Sequence, residues 1–132
     1  YSSDLALARW KKLVWNVPYN GLCVVLNSST DQLMNQPHSL AILRELMLEV
    51  IAGARACGHD IDDSFAQAML DSTRTMTPYA PSMKLDFDFK RPLEIEAIYS
   101  NPIQAAAAAG QSLPRIQQLE QQLHYIQSTY LG

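Results

Sequence analysis

The sequence predicts an all-α fold, on three observations. Apolar residues recur at helical spacing over most of the 132 residues. Prolines and glycines divide the chain into helix-sized segments, and only one stretch alternates as a strand does. The hydrophobic fraction of 48% is sufficient for a core, and neither a repeat nor a linker divides the chain. We therefore expect residues 1–132 to form one helical domain.

The first helix is expected to begin near Asp4, a favourable N-cap residue. Pro18 and Gly21 then predict a kink or a break, after which residues 22–26 continue as helix or as extended chain. Four residues at helical spacing form the apolar side of this helix: Trp10, Leu13, Val14 and Val17.

Two helices are expected next. Residues 28–31 predict a turn or the cap of a short helix. Pro37 suits the first position of a long helix that runs to about Cys57, where Gly58 suits its end. The inward stripe of this long helix has five members: Leu40, Leu43, Met47, Val50 and Ala54.

Another helix is expected to start at a cap within residues 60–63 and to end at Pro78 and Pro81. Its inward residues are Phe65, Met69, Thr73 and Met76. In residues 82–90, apolar and charged positions alternate, which is typical of a half-buried strand. A lone strand would have no partner, so the residues alone leave helix and strand open here.

The last third of the chain predicts three helices. Pro92 is expected to open one through Tyr99, and Pro102 to restart one through the alanine run Ala105–Ala109. Such a run of small residues predicts a tightly packed inner helix. The final helix starts at residues 112–114, and its apolar stripe serves either the core or an oligomer seam. That stripe consists of Ile116, Leu119, Leu123, Ile126 and Tyr130.

Composition excludes several classes of function. A net charge of -3 and scattered basic residues disfavour a nucleic-acid partner. No apolar run approaches the ~20 residues of a membrane helix, and no charged leader marks a signal peptide. Cys23 and Cys57 are 34 positions apart, which indicates buried thiols in a reducing compartment and hence a cytoplasmic protein. His38, His59 and His124 are isolated, so no zinc site is predicted.

The surface is expected to be sparse in charge. Charged residues make up 17% of the chain, against ~25% in typical soluble domains. Either another domain or a second copy covers part of this surface, or Gln, Asn, Ser and Thr supply its polarity. Because the sequence begins with Tyr1, we expect it to be a piece of a longer protein.

Lys12, Asn16 and Asn20 form an unusual polar row. At spacings of four residues they lie near one face of the first helix, within apolar surroundings. One ammonium and two amides form a row of hydrogen-bond donors that suits an anionic or carbonyl-bearing ligand. The alternative is a plain exposed stripe.

Two further polar residues have simple structural explanations. Glu94 lies in the expected first turn after Pro92, where the helix dipole stabilises a carboxylate. Ser82 follows Pro81 and could simply cap a helix.

In order, these segments resemble the C-terminal domain of the ketopantoate reductase (2-dehydropantoate 2-reductase) family over residues 8–126. Residues 10–20 resemble its Trp-x-Lys-Leu-x-x-Asn-x-x-x-Asn helix. Ser82-Met83-x-x-Asp86 and Arg91-x-x-Glu94-Ile95 resemble its two later elements, and the interval between them also fits. The family's Ser-Met element is helical, so the resemblance favours a helix over residues 82–90.

The resemblance implies a 6-phosphogluconate-dehydrogenase C-terminal-like helical domain of an NADP-dependent enzyme that reduces 2-dehydropantoate, a small 2-keto acid, in pantothenate biosynthesis. An N-terminal Rossmann domain would bind the dinucleotide, with substrate in the cleft between the domains. Lys12 matches the catalytic lysine, and Glu94 a catalytic-site glutamate at the edge of the cleft. Asn16, Asn20 and Ser82 match substrate-binding positions.

Several positions depart from the family pattern. Pro81 replaces a usual Ser, Leu93 a usual Thr, and Tyr99-Ser100 a usual Asn-Gly pair, so we expect the backbone near Tyr99 to differ. No Gly-x-Gly-x-x-Gly fingerprint follows a strand. Two interpretations therefore stand: the substrate domain of a 2-keto acid reductase, which could form a homodimer, or a non-catalytic helical interaction or dimerisation module.

Overall fold

The computed structural model describes residues 2–77 and 80–131, with the side chains of residues 2–4 excepted. Over these residues it contains helices and no strand, which confirms the all-α prediction. The central helix α1 packs against α3, α5 and α7, and the core lies between them. In chain order the elements are α1 (Ser2–Val25), α2 (Thr30–Met34), α3 (Pro37–Ala56), α4 (Ser64–Thr75), α5 (Ser82–Asp88), a π-helical segment (Glu96–Ser100), α6 (Asn101–Ala108) and α7 (Pro114–Leu131).

Helix α1 continues unbroken through Pro18 and Gly21, so of the expected kink or break, the break is wrong. Proline removes one backbone donor, and burial of the surrounding residues keeps the helix intact despite that loss. Gly21 does not form a turn; it allows neighbouring elements to pack closely against α1. A Cβ atom there would lie 2.5 Å from the Tyr99 hydroxyl and 2.6 Å from Leu119 Cδ2. The glycine therefore lets the π-helical segment and α7 approach the α1 backbone.

Helices α2, α3 and α4 follow their predicted caps. Ser29 is the N-cap residue of α2, and its backbone N–H donates to Gln32 Oε1 at 2.8 Å. Helix α3 begins at Pro37 and is followed by Gly58, whose φ of 89° lies in the left-handed region that glycine tolerates. Helix α4 ends at Thr75, and Pro78, which was expected to end it, lies outside the described residues.

Residues 82–88 form helix α5, which confirms the helix favoured by the family resemblance over the strand suggested by alternation. The helical period places Met83 in the core and leaves Leu85 and Phe89 exposed. Lys84 is only 8% exposed, and its ammonium forms an ion pair with Asp88 at 2.5 Å. A charged residue thus occupies one of the buried positions of this helix.

The helix expected from Pro92 begins only at Ile95, because residues 91–94 are not helical. It continues through the π-helical segment into α6, so Pro102 lies near the start of α6 and does not restart a separate helix. The alanine run was expected to be buried, but Ala106 is its only buried member. Helix α6 faces the core through one stripe, which consists of Pro102, Ile103 and Ala106.

Helix α7 begins at Pro114 as predicted. Its residues Ile116, Leu119 and Leu123 are buried in the core, while Ile126 and Tyr130 are half-buried. Within this chain, the stripe therefore serves core packing.

Candidate functional site

The polar row of α1 runs from solvent into the protein. Lys12 is exposed, Asn16 is half-buried, and Asn20 is 3% exposed. Where neighbouring helices cover α1, Trp15 stacks on the buried Tyr19 ring, with the two ring centroids 4.5 Å apart. Its indole N–H donates to Thr73 Oγ1 of α4 at 2.8 Å. The row therefore starts on an open surface and ends where neighbouring helices cover α1.

Asn20 joins α1 to the start of α5. Its Nδ2 donates to the Asn16 carbonyl oxygen at 3.0 Å, and its Oδ1 accepts from the Met83 backbone N–H at 3.1 Å. Ser82, the residue before Met83, is the first residue of α5 and is exposed. The structure therefore brings Ser82 to the covered end of the α1 row.

Lys12 lies two helical turns before Asn20. An α-helix rises ~1.5 Å and turns ~100° per residue, so the two side chains start about 12 Å apart along α1 and diverge by about 80°. Lys12 is thus not on the opposite side of α1 from Asn20 and α5. The neighbouring Lys11 extends elsewhere, since its ammonium lies 5.7 Å from the centre of the Phe65 ring of α4.

Several of the candidate side chains are available for a ligand. Among the residues that the structure describes, the side chains of Lys12, Asn16, Ser82 and Glu94 make neither a hydrogen bond nor an ion pair. Asn20 differs from them, because both of its amide atoms have partners within the chain.

Glu94 is exposed and lies on the non-helical stretch, residues 91–94, that precedes the π-helical segment. No hydrogen bond or ion pair of the described residues links its carboxylate to the α1 row. Its segment is nevertheless anchored to α1, because the hydroxyl of Tyr99 donates to the Val17 carbonyl oxygen at 2.6 Å. Burial raises the pKa of Tyr99 far above its ordinary value, so this hydroxyl stays protonated and remains a donor.

The departures from the family pattern lie mainly in the core. Pro81 is the buried N-cap residue of α5, and Tyr99 is fully buried. Leu93 is 8% exposed, and its N–H donates to Gln127 Oε1 of α7 at 2.5 Å. Ser100, which is half-buried, hydrogen-bonds to Glu120. Tyr99 therefore connects its segment to α1, whereas Leu93 and Ser100 connect it to α7.

Sequence analysis missed two contributors to this geometry. The Met83 backbone N–H, which fixes α5 to Asn20, has no signature because every residue except proline has such a group. The Tyr99 contact had one available signal, a glycine within an apolar helix, but Gly21 was assigned to an interruption.

Other kinds of site find little support in the described part of the chain. No group of three or more His, Cys, Asp or Glu residues there could hold a metal ion. No helix in the same part combines the length and apolarity that crossing a membrane requires.

Comparison with known proteins identifies the family of this chain. Residues 4–127 match the family described as "Ketopantoate reductase PanE/ApbA C terminal". The chain is 54% identical over 123 residues to the 2-dehydropantoate 2-reductase of Nostoc sp. (strain PCC 7120 / SAG 25.82 / UTEX 2576). That match covers 93% of this chain and 39% of the Nostoc protein, so the chain spans about two fifths of the relative's length.

Solved structures share the fold. The 2-dehydropantoate 2-reductase from Geobacter metallireducens GS-15 superposes with a TM-score of 0.89 at 42% identity, covering 92% of this chain and 41% of its own. A D-mandelate dehydrogenase, solved with NADH and anilino(oxo)acetate, gives a TM-score of 0.86 at 20% identity, covering 96% of this chain and 53% of its own. At that identity the likeness concerns the fold alone. With its helical fold, its ordered motifs and these matches, the chain belongs to the ketopantoate reductase family, of which it corresponds to the C-terminal domain.

Proposed function

We propose that this chain is the substrate-side domain of a cytoplasmic 2-keto acid reductase, with 2-dehydropantoate as the preferred substrate and pantothenate biosynthesis as its setting. One observation carries the proposal. The unpartnered donors Lys12 and Asn16 lie on the open part of α1, and hydrogen bonding through Asn20 brings Ser82 to the same row. Such a set of donors suits a ligand that bears a carboxylate and a ketone.

Lys12 is the proposed general acid. Reduction of a ketone adds a hydride to the carbonyl carbon, which leaves negative charge on the oxygen until a proton arrives. The Lys12 ammonium can stabilise that charge and donate the proton, thereby becoming a neutral amine. Because Lys12 has no ion-pair partner among the described residues, no neighbouring carboxylate competes for its proton.

The remaining residues of the proposed site bind the substrate. Asn16 and Ser82 can donate hydrogen bonds to its carboxylate and hydroxyl oxygens. Glu94 is proposed as a catalytic-site residue at the edge of the cleft, where its carboxylate would accept a hydrogen bond from a substrate hydroxyl. The departures at Pro81, Leu93 and Tyr99 are compatible with this arrangement, because their side chains belong to caps and core.

The described residues do not fit a dinucleotide. They include no strand, and so they lack the strand-glycine-helix unit that binds a pyrophosphate in Rossmann domains. The NADP implied by the resemblance would therefore be held mainly by an N-terminal Rossmann domain, and its nicotinamide would supply the hydride. This domain arrangement is part of the proposal, as is the homodimer.

A substrate panel tests the proposed function. We expect the full-length protein that contains this chain to oxidise NADPH with 2-dehydropantoate, and more weakly with other 2-keto acids. A ketone of similar size without the carboxylate should give no reaction, because the amide and hydroxyl donors would lose their charged acceptor. The chain alone should show no oxidation above a protein-free control. A folded full-length protein that oxidises NADPH with none of these acids would instead favour a non-catalytic helical module.

A further inference from the structure

Glu94 lies between two buried neighbours. Leu93 is 8% exposed and Ile95 is 3% exposed, whereas Glu94 itself is exposed. Among the described residues, the Glu94 side chain makes neither a hydrogen bond nor an ion pair, so nothing in this part of the chain holds its carboxylate directly. The position of the carboxylate therefore depends on the backbone of the non-helical stretch, residues 91–94.

This stretch starts at a well-defined end of α5. Lys90 has a φ of 59°, in the left-handed region, and its N–H donates to the Phe87 carbonyl oxygen at 3.1 Å. The Arg91 N–H donates to the Asp86 carbonyl oxygen at 2.7 Å, which completes the Schellman arrangement that ends many helices. Arg91 Nε also donates to Asp86 Oδ1 at 3.1 Å. The first residue of the stretch is thereby fixed to α5, the helix that carries Ser82.

Two side chains of α7 hold the stretch from the other side of the connection. The Tyr130 hydroxyl donates to the Arg91 carbonyl oxygen at 2.8 Å. Gln127, which is half-buried, accepts from the Leu93 N–H through Oε1 at 2.5 Å. Because Gln127 and Tyr130 are three residues apart, they lie on one side of α7. Helix α7 therefore holds the stretch at two points before the glutamate.

The end of α7 also contacts α5 directly. The Tyr130 and Phe87 ring centroids lie 6.2 Å apart in an edge-on arrangement, and Lys90 Nζ lies 5.4 Å from the centre of the Tyr130 ring. Burial, and to a smaller extent the charge of Asp86, raises the pKa of Tyr130, so its hydroxyl remains a donor at neutral pH. The stretch before Glu94 is thus held between α5 and α7.

We propose that Gln127 is a positioning residue for Glu94 and acts on it through the Leu93 backbone. Tyr130 adds a second tether at Arg91. This inference rests on the proposed function, in which Glu94 lies at the edge of the substrate cleft. A shift of ~1 Å in such a site can cost a factor of ~10² in rate, so a loosened stretch should slow the reaction even in a folded protein.

Gln127→Met in the full-length protein removes the acceptor and keeps the length of the side chain. Met, Gln and Glu have similar helix propensities, so α7 should form in each variant. Loss of one neutral hydrogen bond corresponds to a factor of ~3 to 10, and we expect kcat/KM for the 2-keto acid to fall by that factor. Gln127→Glu keeps an acceptor for the Leu93 N–H, so its kcat/KM should stay nearer the wild-type value.

Gln121→Met is the matched control, because Gln121 is an exposed residue of α7 whose side chain makes no hydrogen bond among the described residues. It should keep the wild-type kcat/KM. Equal values for Gln127→Met and Gln121→Met would overturn the inference. So would a larger loss in Gln127→Glu than in Gln127→Met, because that order would indicate a side chain that contacts an anionic substrate directly.

A double-mutant cycle separates the positioning of Glu94 from a general structural effect. In a Glu94→Ala background, Gln127→Met should cost little further, because the group that it positions is gone. Tyr130→Phe keeps the ring and loses the hydroxyl, so it should lower kcat/KM in the wild-type background and not in Glu94→Ala. Single-turnover measurements keep the comparison sensitive when activity is low. Multiplied effects of Gln127→Met and Glu94→Ala would overturn the inference.

Amide hydrogen exchange distinguishes failure of this inference from failure of the proposed function. We expect the Leu93 N–H to be protected in the wild-type protein and in Gln127→Glu, and to exchange faster in Gln127→Met. Unchanged protection in Gln127→Met would overturn the inference whatever the enzyme does. An absence of 2-keto acid reduction in the wild-type protein, with the Leu93 N–H exchanging as expected, would reject the proposed function, and with it any role of the tether in catalysis.

Discussion

Cys23 lies on α1 with its thiol buried in the core. Burial raises the pKa of this thiol to about 12, compared with an ordinary value of 9.0. The unfolded chain therefore loses this proton at lower pH than the folded chain does. The contribution of the thiol to the unfolding free energy is complete below pH 9.0 and declines as the pH rises towards about 12.

We accordingly expect the unfolding free energy, measured by urea titration, to fall between pH 9.0 and about 12. Cys23→Ala should make this decline shallower, although the raised pKa values of Tyr19 and Tyr99 act in the same direction and remain in the variant. Cys57→Ala, which removes the half-buried thiol that follows α3, is the control for the loss of a thiol as such. An identical decline in Cys23→Ala would show that the thiol is not the titrating group.

The residue scale also shows the limit of spacing arguments. The intervals between Lys12, Asn16 and Asn20 correctly predict neighbouring directions around α1, because helical geometry determines angle. They do not predict how deeply each side chain is buried, because burial depends on which part of α1 is covered by α4 and α5. Lys12, Asn16 and Asn20 therefore have three different environments. Only the structure shows that the Asn20 side-chain amide is hydrogen-bonded within the chain and that the Asn16 side-chain amide is not.

At the element scale, periodicity and caps suffice where a helix is long and its ends are marked. Helices α3 and α7 match their predictions for this reason. The alternating pattern of residues 82–90 suggests a strand incorrectly, because the short helix α5 can bury Lys84, whose charge is paired with Asp88. The π-helical segment was also not predictable, since Tyr99 packs against α1 through a contact with residues far away in the sequence.

The contact between α1 and the π-helical segment gives an element-scale prediction. In Gly21→Ala the new methyl would lie 2.5 Å from the Tyr99 hydroxyl and 2.6 Å from Leu119 Cδ2, so the elements must separate. We expect the unfolding free energy, measured by chemical denaturation, to fall by ~1–3 kcal/mol, the usual cost of overpacking a core.

Gly53→Ala is the matched control for this substitution. It gains the same ~0.5–1 kcal/mol of helix propensity, but its methyl meets the Trp10 ring at 3.3 Å, a contact that a small shift relieves. Gly21→Ala should therefore be the less stable of the two variants. Equal stability would mean that Tyr99 and Leu119 do not constrain α1 as closely as the structure indicates.

At the scale of the whole molecule, the order and spacing of the motifs predicted both the family and the helical fold, and the comparisons confirm them. The motifs extend over most of the chain, so local errors at Pro18 and over residues 92–101 did not alter that result. The arrangement of the cleft could not be predicted in the same way. Its second wall belongs, in the proposed enzyme, to a domain outside the residues described.

Lys12 is proposed to supply the proton in a ketone reduction, and the most direct measurement compares two lysines in the full-length protein. General acid catalysis typically contributes ~10²–10⁴-fold, so Lys12→Ala should lower kcat by that order and leave the helical circular dichroism unchanged, because alanine favours helices. Lys11→Ala, which removes a charge that lies over Phe65 on another side of α1, should lower kcat little. Equal losses at the two positions would contradict the account, because they would reflect general charge and not a placed acid.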